Sequence, residues 1–382
     1  MQNTPSRFPR NDIISLTGPA PRYDLAESIG PDMLLPDLLA DAGQSVLSNL
    51  ALSYGSVAGE PLLRKLVAKN NRVEPDEVIL TMGGMHALFL TGFILGQSGA
   101  EFVLPMPSFP NTGAALSSTG ATIKTVQSGF DARYRIDPVS IGAALSARTR
   151  LVCLESPRNP SGVAVDAEFL QAILAEMDRK CPDAFLLVDE TYRQAVYGSS
   201  ITAESAATID SRIISTASLS KCHGSPGLRI GWAITRNEAF REQLLLGKFN
   251  TVISCSPVDE ALAIAVLEQQ ETIVGERRGL LENGLMRIAA WVDNNAELVE
   301  WVRPDAGALC CIRLKHSAFD EAAVEQFHQA LAARGIRVAR GSWFGDETNV
   351  FRLGFGLLPM AQFDQALAGL TEALHEAVRQ AA

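Results

Sequence analysis

The 382-residue sequence contains no Cys-x-x-Cys and no His-x-x-x-His, so neither a structural nor a catalytic zinc site has support in it. Its six cysteines (Cys153, Cys181, Cys222, Cys255, Cys310 and Cys311) lack paired spacing. The only adjacent two lie in an apolar run where neighbours point to opposite faces of a strand, so buried, reduced thiols and a cytoplasmic compartment are expected. No apolar run reaches the ~20 residues of a membrane span; the longest, 87–95, is broken by Thr91 and Gly92. Residues 1–13 are polar, with Pro5, Arg7, Pro9 and Arg10, which fits neither a signal peptide nor an anchor, so a soluble protein without a membrane partner is expected. Basic clusters are missing too. With a net charge of −10 and a pI near 5.1, nucleic acid is excluded as the main partner, because binding it requires clustered Lys and Arg. The Gly-x-Gly-x-x-Gly dinucleotide spacing, the phosphate-loop lysine motif, internal repeats and long linkers are absent as well.

What is present is a globular composition, 47% hydrophobic and 20% charged, with enough length for two or three domains. Short apolar runs at Val78–Thr81, 102–105, 151–154, 185–188, 213–215 and 230–235 alternate with helical patterns at 85–97, 111–119, Ala167–Lys180 and 238–249. That alternation predicts an α/β fold with a mostly parallel central sheet, its strands buried on both faces. After about Glu276 the pattern becomes a long helix through Trp291, two or three strands, a helix capped by Asp320, a short strand and a closing helix after Pro359. A large domain over 46–278 and a smaller α+β domain from 1–45 plus 279–382 are expected.

Chemistry-bearing residues fall at the ends of these strands. Lys221 lies in Ser218-Leu219-Ser220-Lys221-Cys222-His223-Gly224-Ser225-Pro226-Gly227-Leu228-Arg229, where the amine can form an imine with an aldehyde cofactor. The two serines can donate to a phosphate, and Arg229, eight positions on (229 − 221), can neutralise it. This is the anchor pattern of pyridoxal phosphate. Asp189 follows the apolar strand Phe185-Leu186-Leu187-Val188, a position that can keep a pyridine nitrogen protonated; capping the next segment is the plainer alternative. Tyr192, and Asn159 in Asn159-Pro160-Ser161-Gly162, can reach the ring oxygen, although Asn-Pro-x-Gly is also a turn signal. Gly83-Gly84-Met85-His86 opens a helix whose amides can receive the phosphate, or is simply a connector. Phe109, between prolines, can stack on the ring or fill the core. Arg352 sits in an apolar strand, where an unpaired cation is costly; a substrate carboxylate or an internal acid would satisfy it.

Together these segments resemble the class I/II aminotransferases of PLP-dependent fold type I, in order and over essentially the whole chain. The resemblance implies that fold, with pyridoxal 5'-phosphate as cofactor and a Schiff base on Lys221. It further implies Asp189 at the pyridine nitrogen, Asn159 and Tyr192 at the ring oxygen, and Phe109 stacked on the ring. Ser218, Ser220, Arg229 and the amides of Gly84 and Met85 would form the phosphate cradle, and Arg352 would grip the substrate carboxylate together with Asn159. Tyr54, in Leu52-Ser53-Tyr54-Gly55, resembles the tyrosine that reaches the neighbouring subunit's phosphate in a homodimer with shared active sites, and Gly18 the glycine lining the substrate pocket. The implied activity is ping-pong transfer of an amino group from an L-amino acid to a 2-oxo acid. A lyase, decarboxylase or cyclase on the same scaffold stays open. A PLP-binding regulatory module would need an attached DNA-binding domain, and the stretch ahead of these segments has no basic recognition helix.

The chain departs from the commonest pattern at several places. Phe109 replaces a frequent Trp or Tyr, Arg158 a frequent His, and Met85-His86 small hydroxyl residues. Lys248, rather than an arginine, precedes Ser254-Cys255-Ser256-Pro257, which weighs against a dicarboxylate substrate.

Overall fold

The computed structural model describes residues 7–9, 11–42, 45–197 and 204–381. Runs such as Val78-Ile79-Leu80, Leu151-Val152-Cys153-Leu154 and Leu186-Leu187-Val188 are apolar at consecutive positions and almost wholly buried. A strand covered on both faces demands that pattern. A two-residue strand, β1 (Tyr23–Asp24), comes first. Seven strands then build the large sheet: β2 (Val78–Thr81), β3 (Glu101–Met106), β4 (Thr122–Gln127), β5 (Thr149–Glu155), β6 (Phe185–Asp189), β7 (Ile213–Ser218) and β8 (Gly231–Thr235). Their order is β2-β8-β7-β6-β5-β3-β4. All neighbours run parallel except β8, which is antiparallel to both β2 and β7.

Alternate residues of each strand face opposite helical layers. Val152, Leu154, Leu186 and Val188 pack with Leu170, Ile173, Leu174 and Met177 of the helix Ala167–Lys180. Leu151, Cys153 and Leu187 instead meet Leu88, Ala115 and Leu116 on the other face. The helix Ala167–Lys180 starts where Asp166 accepts the Phe169 N–H at 2.8 Å and ends with Arg179 and Lys180 against its negative pole.

The C-terminal strands β9 (Val299–Val302), β10 (Leu309–Leu314), β11 (Ile336–Arg337), β12 (Ala339–Arg340) and β13 (Val350–Gly354) form a separate antiparallel sheet, β12-β13-β10-β9, while β11 pairs in parallel with β1. The helix Glu321–Ala333 is capped by Asp320, buries Val324, Phe327 and Leu331, and gives way to Gly335 at φ +66°. The helix Met360–Ala381 buries Phe363, Leu367, Leu370 and Leu374. The six cysteines are free and buried, and Cys310 and Cys311 enter different core clusters, as their alternation requires. Among the described residues no helix is long and apolar enough to cross a membrane.

Several elements were not legible in advance. β4 is an edge strand on which only Val126 is buried, so it carries no apolar run. The helices Pro61–Asn71, Pro138–Ala144 and Pro257–Glu268 also escaped, the last because it is apolar on several sides and shows no single stripe. The position 278 boundary falls inside one continuous helix, Gln270–Asn294.

Candidate active site

The carboxyl ends of β2, β3, β5, β6 and β7 and the start of the reversed β8 meet at one edge of the large sheet. A cleft there encloses about 850 Å³ of empty space, part of it open to solvent. Such an edge gathers side chains from many strands onto one small volume. Gly84, Met85, Phe109, Asn159, Asp189, Tyr192, Ser218, Ser220, Lys221 and Arg229, ten of the residues expected from sequence, line it together.

Lys221 Nζ donates to Ser28 Oγ at 3.2 Å, and the Tyr192 hydroxyl donates to the same oxygen at 2.8 Å. Burial, aided by the positive charge of Arg352, pulls the lysine amine down to about 8, which makes it a competent nucleophile near neutral pH. Burial raises the proton affinity of the Tyr192 phenol and of Asp189. Asp189 accepts from the Thr191 N–H at 2.9 Å and the Thr191 hydroxyl at 2.6 Å, both on Oδ1, so it caps the next segment and lines the cleft at once. The turn at Asn159 is likewise present, with the Gly162 N–H on the Arg158 carbonyl at 2.7 Å.

The anion end of the cleft depends on one glycine. Gly83 adopts φ +77° at the start of the helix Gly84–Leu95, and a Cβ there would lie 2.5 Å from Arg229 Nη2. Glycine leaves room for the guanidinium against this turn, at the start of the helix whose first amides are those of Gly84 and Met85. Ser218 and Ser220 complete a cradle of donors beside a positive helix pole.

Arg352 is 2% exposed on β13. Its Nη1 donates to Asn159 Oδ1 at 2.7 Å, its Nη2 donates to the Ala26 carbonyl, and its plane covers the Phe344 ring at 4.7 Å. Among the described residues no carboxylate pairs with it, and its Nε has no partner. A desolvated cation with a spare donor next to the cleft fits an incoming anion. The donor set as a whole therefore fits pyridoxal phosphate and an amino acid carboxylate.

Two expected residues lie elsewhere. Gly18 is exposed at the end of the 3-10 turn Asp12–Thr17 and does not line the cleft; Ser28 is the amino-terminal residue that reaches Lys221. Tyr54 is 81% exposed and does not line its own chain's cleft. Lys248 is fully buried beside Cys255 and Glu260, away from the cleft lining, and Arg158 is spent on Ser128, Pro107 and Tyr134. Sequence reasoning missed Glu155, which closes β5 and lines the cleft, and Ser28. Glu155 did leave a signal, a lone charge ending an apolar strand. Among the described residues no three His, Cys, Asp or Glu side chains converge on a metal site.

Residues 23–370 match the family model for aminotransferase class I and II. A capreomycidine synthase of Streptomyces vinaceus is 27% identical over 333 residues, covering 87% of this chain and 83% of that one. A probable aspartate/prephenate aminotransferase of Thermus aquaticus is 28% identical over 349 residues, 87% of this chain and 84% of its own. Among solved structures, a PLP-dependent aminotransferase from Streptococcus suis superposes with a TM-score of 0.88 at 23% identity, over 97% of this chain and 99% of that one.

Proposed function

Since the chain belongs to the class I and II aminotransferases, an enzyme family that works with pyridoxal phosphate, we propose that it transfers the amino group of an L-amino acid to a 2-oxo acid in two half-reactions. The observation that carries this reading is the pairing of a buried lysine amine in the cleft with a buried arginine whose Nε has no partner among the described residues. When bound, the cofactor supplies an electron sink for the substrate's α-carbon.

The residues divide the remaining work. Lys221 Nζ would hold the aldehyde carbon of the cofactor and, as a free amine, would carry the proton from the substrate's α-carbon to that carbon, on the far side of the shared nitrogen. Asp189 keeps the ring nitrogen protonated, Tyr192 and Asn159 hold the ring oxygen, and Phe109 covers the ring face. Arg229, Ser218, Ser220 and the Gly84 and Met85 amides hold the phosphate. Arg352 orients the substrate by its carboxylate.

The same proposal includes a homodimer, a cytoplasmic location, and a large domain that carries the cleft with a smaller one that delivers Ser28 and Arg352. Exposed Leu52, Tyr54, Phe249 and Ile253 lie on segments joined by the Gly55 N–H to Ser254 Oγ, and an apolar surface of this kind favours a second copy. There Tyr54 would enter the other chain's phosphate cradle. A cyclase is the second reading, favoured by the likeness to capreomycidine synthase.

The deciding experiment supplies the loaded protein with single amino acids and no acceptor. Transamination releases one 2-oxo acid per site and then stops until a 2-oxo acid is added, and Lys221→Ala, folded as the wild type, releases none. A product that retains its nitrogen, with no 2-oxo acid, would move the assignment to the cyclase.

A further inference from the structure

Glu155 is an ionisable cleft residue to which the proposed function gives no role. It ends β5 in register with Asp189 at the end of β6, so both carboxylates line the cleft from neighbouring parallel strands, whose general spacing is about 4.8 Å. Two like charges there need a reason. Each oxygen of Glu155 takes a main-chain donor from a different loop: Oε1 accepts the Phe109 N–H at 3.0 Å together with the Thr112 hydroxyl at 3.2 Å, and Oε2 accepts the Asn159 N–H at 3.0 Å. The Phe109 loop lies 46 residues from Glu155 in sequence. Only a carboxylate accepts at both ends; a glutamine would turn an NH₂ toward one of these donors.

We propose that Glu155 is a positioning residue: its carboxylate clamps the Phe109 and Asn159 loops against the cofactor ring, and its charge helps Asp189 retain the ring-nitrogen proton. This rests on the assignment of Phe109, Asn159 and Asp189 to that ring. Besides Asp189, the groups facing Glu155 are Arg158 from its own loop, Tyr192 after β6 and Cys153 on β5. Burial, then the repulsion of Asp189, moves its titration up to about 7. The clamp is therefore charged above neutrality and weakened below it.

The test measures the dissociation constant of pyridoxal phosphate from the full-length apoprotein by equilibrium dialysis, at pH 8.5 and pH 6. Glu155→Gln should weaken binding about tenfold at pH 8.5, the worth of one charge-assisted hydrogen bond, and much less at pH 6, where the wild type is itself protonated. Equal constants at pH 8.5, or the same penalty at both pH values, would overturn the proposal. If circular dichroism shows Glu155→Gln misfolded, Thr112→Val replaces it: weaker binding at pH 8.5 is expected, and an unchanged constant there overturns the clamp. A wild type that attaches no cofactor to Lys221 would instead sink the assignment of the site itself.

Discussion

At Lys221 opposing influences act on one amine: burial and Arg352 favour the neutral form, while Glu27, Asp189 and Asp32 favour the charged one. Burial wins, because losing hydration costs a lone ammonium more than partly screened neighbours return. Capture of the aldehyde needs the neutral amine, so its rate should climb with pH to a plateau above about 8 in stopped-flow absorbance; a midpoint near 10.5 would mean an ordinary, hydrated lysine. The same shift has a stability sign. With the folded value below the unfolded one, the unfolded chain binds more protons between about 8 and 10.5, so this lysine adds stability as pH rises through that window. At Arg352, replacement by Lys keeps the charge and loses the forked grip. Arg352→Lys should lower kcat/KM by about 2 kcal/mol, or ~30-fold, mainly through KM. Most cleft residues were legible because each carries a motif at a strand end. Ser28 was not: it meets a lysine 193 residues away, and nothing local in Glu27-Ser28-Ile29 announces that meeting.

Among the elements, those with a doubly buried apolar run or a single stripe were readable, and those without were not. β4 has edge chemistry, Thr122-Ile123-Lys124-Thr125-Val126-Gln127, whose exposed polar residues resemble a loop until its pairing with β3 is seen. The direction of β8 was equally hidden, since antiparallel and parallel strands buried on both faces have the same composition. The turn between β2 and the helix Gly84–Leu95 yields a prediction at this scale. Gly83→Ala places a methyl where Arg229 Nη2 sits and forces φ +77° on a residue that resists it. The arginine tip can swing away, so the fold should lose only about 1 kcal/mol in denaturant titration. Phosphate affinity should fall further, by about tenfold in a competition assay with the cofactor.

For the whole molecule, Tyr54 poses the question of what completes the site. It is 81% exposed and stands outside its own chain's cleft. If the proposed dimer shares its sites, mixing Lys221→Ala with Tyr54→Ala should restore activity, because one of the two sites in a mixed dimer would hold both intact residues; no recovery above the separate variants would confine each site to one chain. The C-terminal part of the chain reaches the cleft by another long route, as β11 pairs with β1 in a two-stranded sheet and so fixes the segment leading to Ser28. The reversed strand β8 also bears on how the chain comes together. Ser218 pairs with Gly231 only 13 positions on (231 − 218), whereas Thr81 pairs with the same glycine across 150 (231 − 81). Closing the longer loop costs about 2 kcal/mol more chain entropy. Lysine, serines and arginine thus share an inexpensive local hairpin, while the Gly83 turn must be recruited from afar. An anion bound between Arg229 and the Gly84 amide joins those two parts, so the ligand acts as a stitch across the costliest crossing in the sheet.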